Sequence, residues 1–108
     1  MTDMKFVQIN VHFEYTEIID AMLDRHGIRE SVRYPLSEGT DHDGKHHGTQ
    51  VFPGNFTVIQ AQVPETQVDA LFNELARFRQ AKPAHRHLQA LVLPIERRLG
   101  DEQTQNQT

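Results

Sequence analysis

From Met4 to Phe13 apolar and polar residues alternate, with Val7, Ile9, Val11 and Phe13 on one side and Phe6, Gln8, Asn10 and His12 on the other. A period of two is that of an extended strand. The period then changes. Between Tyr15 and His26 the apolar residues Ile18, Ile19, Met22 and Leu23 form a helical stripe, with Thr16 near its start and Gly27 placed to stop it. Val32 and Tyr34 restore the alternation within Arg29 to Leu36, a second strand expected to run out at Pro35, where a backbone N–H is lost.

A polar stretch, residues 37–50, follows. Alternation resumes at Val51 and, after an interruption at Pro53-Gly54-Asn55, continues through Phe56, Val58, Ile59, Ala61 and Val63 as a third strand. Pro64-Glu65-Thr66 then opens a second helix with a proline and an acid where a helix start favours them. Its stripe is Val68, Leu71, Phe72, Leu75 and Phe78, and Ala81-Lys82-Pro83 ends it. The last regular segment, Leu88 to Ile95, is apolar on both sides: Leu88, Ala90 and Val92 on one, Leu91, Leu93 and Ile95 on the other.

The order β-α-β, long loop, β-α-β predicts an α+β fold of the ferredoxin-like kind, a four-stranded antiparallel sheet with two helices on one face. Residues 1–96 are expected to form one domain and residues 97–108 a polar, disordered tail. Two helices cover one face of a sheet. A final strand apolar front and back therefore needs another cover, since solvated apolar area costs about 25 cal/mol per Å². A second copy of the chain is the expected cover, making a homo-oligomer.

Composition narrows the chemistry. The 108 residues suit one domain, and the absence of cysteine removes disulfides, thiolate metal sites and thiol nucleophiles. A formal charge of −4 argues against nucleic acid as a partner. Seven histidines qualify that figure, because their full protonation moves it to +3, across roughly pH 5.5 to 7.5. No basic leader with a following apolar run is present, and no apolar stretch suits membrane insertion, so the expected location is the cytoplasm.

Two clusters carry candidate chemistry. In Asp41-His42-Asp43-Gly44-Lys45-His46-His47-Gly48, the side chains of Asp41, His42, Asp43, His46 and His47 offer nitrogen and oxygen donors between glycines that let the backbone fold around an ion. Such a sulfur-free donor set suits a divalent transition metal: zinc, copper(II), nickel or cobalt. Lys45 and the entropy of ordering the loop oppose binding, and a solvated loop without a metal is the competing reading. The second cluster, Lys82-Pro83-Ala84-His85-Arg86-His87, gathers Lys82, His85, Arg86 and His87 between a helix end and a strand, where they could hold a phosphate or carboxylate. Cations at a helix C-terminus are also favoured without any ligand. His12 is expected to hydrogen-bond at a subunit interface, with ligand contact as the alternative, and His26 to cap its helix or lie at the surface.

An enzyme is not expected, a small cofactor-free ferredoxin-like enzyme being the least favoured alternative. The helix-facing residues Val7, Ile9, Val11 and Phe13 are all apolar, and the chain has neither a Walker-type phosphate loop nor a nucleophile motif.

With this order of elements, the long loop at 37–50 and the shorter one at 80–87, the chain resembles the PII-like family of signalling proteins, and in particular divergent members associated with heavy-metal efflux. The ending Leu88-Gln89-Ala90-Leu91-Val92-Leu93-Pro94-Ile95 is also similar to the related CutA proteins, linked to divalent-cation tolerance. The resemblance implies a trimer, a long loop that contacts a partner such as a membrane transporter, and a second loop that helps hold a nucleotide or other small effector between subunits. It implies effector sensing by Arg33, at the root of the long loop, and by Lys82, His85, Arg86 and His87, with an adenine nucleotide or a metal as effector. Residues 80–87 contain no glycine and the tip 41–48 no tyrosine, unlike the phosphate-cradling stretch and the uridylylated tip of nitrogen-regulatory members. The CutA likeness implies an alternative, a metal-buffering protein.

Overall fold

The computed structural model describes residues 3–37, 40–41, 44–45 and 56–100. Four strands form one sheet: β1 (Met4–His12), β2 (Glu30–Ser37), β5 (Phe56–Pro64) and β6 (Gln89–Pro94), in the order β2-β5-β1-β6 with antiparallel neighbours throughout. Two helices, α1 (Thr16–Arg25) and α2 (Glu65–Ala81), complete a ferredoxin-like α+β fold. Two short strands, β3 (Thr40–Asp41) and β4 (Gly44–Lys45), pair as a hairpin inside the long connection between β2 and β5.

The alternation of β1 sorts its residues as the period predicts. Val7, Ile9 and Val11 are fully buried, and they pack with Ile59, Ala61 and Val63 of β5 against Ile19, Met22 and Leu23 of α1 and Leu71 and Leu75 of α2. Each such aliphatic side chain contributes about 1.5–3 kcal/mol by leaving water. A polar pair is satisfied at the margin of this layer: buried Thr57 receives the hydroxyl of Thr16 at 3.0 Å.

Helix α1 stops as its glycine predicts. The Gly27 N–H donates to the Asp24 carbonyl and the Ile28 N–H to the Leu23 carbonyl, both at 3.0 Å, with Gly27 at φ +72°. This is the αL closure of a helix end, and it turns Ile28 back into the core beside Leu23. Ile18, by contrast, lies off the buried stripe and is exposed.

Three boundaries differ from expectation. The first strand ends at His12, because the His12 ring accepts the Glu14 N–H at 3.3 Å and the chain coils into a 3₁₀ turn, Phe13–Tyr15; Phe13 is exposed instead of continuing the buried row. The second strand does not end at Pro35. It lies at the sheet edge, where a missing N–H need not break the ladder, and it passes through a bulge: Tyr34 faces Val58 but Ser37 faces Phe56. The third strand starts at Phe56, and the expected start at Val51 lies outside the described residues.

Among the described residues, helices cover only one face of the sheet. The other shows Gln8 and Asn10 of β1 and Gln60 and Gln62 of β5 at its centre, flanked by Leu91 and Leu93 of β6 and by Val32 and Tyr34 of β2. These four flanking residues are 46–53% exposed. The centre is more polar than the last strand alone suggests, with the Gln60 amide donating to Gln8 Oε1 at 3.1 Å. No helix among the described residues is long and apolar enough to cross a membrane.

Candidate functional site

Helix α2 leads at Lys82 into a short loop that a second 3₁₀ turn, Pro83–His85, folds tightly. The His85, Arg86 and Leu88 N–H groups donate to the Lys82, Pro83 and His85 carbonyls at 3.0–3.1 Å, and Arg79 Nε donates to the Leu88 carbonyl at 2.7 Å. The loop is therefore pinned to the end of α2 from both sides.

This closure divides the four cluster residues into two kinds. His85 turns inward: it is buried, its ring stacks on Phe78 with centroids 3.9 Å apart, and its Nδ1–H donates to the Phe78 carbonyl at 2.8 Å. Tyr15 packs edge-on against both rings. His87 is half-buried, and both its ring nitrogens are engaged, Nε2 by the His12 N–H at 2.7 Å and Nδ1 with the Ala84 carbonyl at 2.8 Å. Burial pushes its pKa below the ordinary value; the nearby rings of His12 and His85 act the same way, while the Ala84 carbonyl and the Glu14 carboxylate act against it. Lys82 and Arg86 are exposed and face solvent. Within one chain, then, the cations available to an anion in this loop are Lys82 and Arg86. The histidines build the loop's frame.

Arg33 lies on β2, at the opposite edge of the sheet from β6, where its guanidinium pairs with the Asp20 carboxylate of α1. A single chain does not bring it to Lys82 or Arg86. Each edge has a hollow beside it. Next to β2, a depression of about 510 Å³ is lined by Phe6, Arg29, Glu30, Val32, Gln60 and Gln62. Along β6, another of about 450 Å³ is bounded by Gln8, Asn10, Phe72, Leu75, Arg79 and Leu91. One buried side-chain oxygen in each, Gln62 Oε1 and Asn10 Oδ1, has no hydrogen-bond partner among the described residues. Past β6 the chain runs on irregularly, and Arg98 reaches Glu30 at the start of β2, with Nη2 3.3 Å from Oε1.

Of the histidine-loop residues, Asp41 falls in β3, while His42, Asp43, His46 and His47 lie outside the described residues. Among the described residues no three His, Asp or Glu side chains gather as a metal site. His26 caps α1 as expected, and its ring also reaches Glu74 Oε1 of α2 at 2.8 Å. Tyr15 and Phe78, which fix the orientation of His85, are the residues that sequence reasoning missed. Phe78 was legible as a core position, but nothing in the spacing marked it as the floor for an imidazole.

No family model matches the chain, and no curated protein matches it. Solved structures do. A nitrogen-regulatory PII-like protein, CPII from Thiomonas intermedia K12, bound to ADP, AMP and bicarbonate, aligns at 22% identity and TM-score 0.69, covering 85% of this chain and 91% of that one. A DUF3240 family protein from Shewanella baltica aligns at 15% identity and TM-score 0.66, covering 93% and 98%. A PII-like signalling protein from Thermus thermophilus aligns at 14% identity and TM-score 0.60, covering 87% and 88%. The described architecture is thus the fold of PII-like proteins.

Proposed function

We propose that this chain is a PII-like regulator, not an enzyme, that binds a small anionic effector between copies of itself. The observation that carries the reading is the placement of its cations. Arg33 lies on β2 at one edge of the sheet, and Lys82 and Arg86 lie in the loop that leads into β6 at the opposite edge. They can meet over one ligand when the β2 edge of one copy faces the β6 edge of the next. The uncovered sheet face, flanked by Val32, Tyr34, Leu91 and Leu93, favours such assembly, and a homotrimer closes the ring with three equivalent clefts. An adenine nucleotide is the effector class proposed, in line with the ADP and AMP held by CPII. Lys82 and Arg86 would meet its phosphates. The long connection between β2 and β5 would then shift population on binding and engage a target such as a metal or ion transporter in the cytoplasm.

Titration calorimetry with ADP, AMP and ADP plus bicarbonate tests the reading, alongside solution mass by light scattering. A trimer that binds at least one of these nucleotides at sub-millimolar concentration, and loses that binding in Lys82→Ala/Arg86→Ala, supports it. A stable single-chain particle, or no heat with any of them, defeats it. Zinc, copper(II), nickel and cobalt form a second arm of the same experiment. Metal binding that survives Lys82→Ala/Arg86→Ala but vanishes with alanine at His42, His46 and His47 would point to metal sensing or a CutA-like buffering role.

A further inference from the structure

His87 stands where a strand ladder could have continued. β1 and β6 pair from Lys5 opposite Pro94 to Asn10 opposite Gln89. Two residues further along β1, the His12 N–H finds an imidazole nitrogen in place of a backbone carbonyl, His87 Nε2 at 2.7 Å. The other ring nitrogen, Nδ1, lies 2.8 Å from the Ala84 carbonyl oxygen. A backbone N–H can only donate, so Nε2 must accept. A carbonyl can only accept, so Nδ1 must carry the proton. One tautomer of the neutral ring meets both demands. The imidazolium keeps the bond from Nδ1 to the Ala84 carbonyl but loses the other, because a proton on Nε2 would point at the His12 N–H.

The groups around the ring come from three elements. β1 contributes His12, whose ring centroid is 6.1 Å away. The turn Phe13–Tyr15 contributes the Glu14 carboxylate and the stacked Tyr15 ring at 6.0 Å. The loop itself contributes His85 and also carries the exposed Lys82 and Arg86. Glu14 is the one anion of this set, and it lies 3.2 Å from His12 Nδ1, so its charge is shared with a second imidazole.

We propose that His87 is a proton-operated clasp: as the neutral ring it ties the loop between α2 and β6 to the end of β1, and protonation opens that tie. The same loop carries Lys82 and Arg86, so on the reading given under the proposed function its hold on an anionic effector changes with pH. The clasp itself does not depend on that reading.

Long-range ¹H–¹⁵N correlation spectra of the full chain at pH 8 read the ring directly. A protonated Nδ1 and bare Nε2 are expected for His87; the opposite tautomer, or an averaged one, overturns the proposal. Amide hydrogen exchange then follows the tie. The protection factor of the His12 N–H is expected to fall about tenfold per pH unit once His87 titrates, the slope for one proton, while central β5 amides keep theirs. Protection at His12 that is unchanged between pH 8 and pH 5, or lost together with β5, overturns it. In His87→Gln, whose amide can accept the same N–H without titrating, the pH dependence at His12 should vanish; its persistence assigns it to another group and also overturns the clasp. ADP titrations on the same samples separate the two readings. Absence of ADP binding at every pH counts against the effector site, while the exchange and tautomer results decide the clasp.

Discussion

The two faces of β1 are built from neighbouring residues with opposite consequences. Ile9 has no solvent exposure and belongs to the core cluster that residues of both helices complete, while Gln8 and Asn10 on either side of it look out over the uncovered face. The covered face is a finished core, closed within one chain. On the proposed reading the open face is the joint between copies: its amides sit on the two central strands beside Phe6 and Val58, Val32, Tyr34, Leu91 and Leu93 lie along the two edge strands, and two of its amide-bearing residues hold buried oxygens without partners among the described residues. A surface meant for water would leave none of its polar groups buried and unpaired. On the proposed reading the difference separates folding from assembly, and it can be tested residue by residue.

The largest expected effect is on assembly. Replacing Leu91 and Leu93 together by Glu should reduce the solution mass to that of one chain while circular dichroism keeps its α+β shape; a mass that does not change would mean that the open face is not the joint. Next, Ile9→Ala should lower unfolding stability by about 3 kcal/mol in urea, whereas Gln8→Ala, one residue away, should move it by no more than about 0.5 kcal/mol in the monomeric Leu91/Leu93 background. Equal losses would erase the distinction between the faces. Gly27→Ala should cost about 1 kcal/mol through its positive φ alone, since open space surrounds the position a Cβ would take; a loss like that of Ile9→Ala would show that the helix end anchors more of the core than Ile28.

The smallest effect is the pH dependence. His87 in the fold protonates below its ordinary value of 6.5, so the unfolded chain takes up the proton first. The stabilisation from its neutral ring is then complete above that ordinary value and is lost as pH falls from there through the lower folded value. Urea midpoints of the wild type should fall over that interval more than those of His87→Gln. Parallel curves for the two proteins would place the proton elsewhere.

Much of this fold was legible because its signals are periodic. Alternation in β1 and β5, the Leu71 and Leu75 stripe and the Gly27 stop depend on local rules that the tertiary structure obeys. Phe13 broke the pattern because His12 caps a turn with its own side chain, a contact no period encodes. The second cluster was only half legible. Lys82, His85, Arg86 and His87 read alike as titratable residues after a helix, and the sorting into outward cations and inward imidazoles comes from the 3₁₀ turn and from aromatic rings supplied by Phe78 of the preceding helix and by Tyr15, distant in sequence. The histidine-loop positions 42, 43, 46 and 47 fall outside the described residues.

The slip beside Pro35 has a consequence for what lies beyond it. From Tyr34 to Ser37 the edge strand uses one residue more than its partner uses from Val58 to Phe56. That surplus residue exchanges the odd and even positions of the outgoing chain relative to the pleat. Removing a single residue there would leave composition almost unaltered yet run the edge strand in unbroken register with β5, from Glu30 opposite Gln62 to the position opposite Phe56.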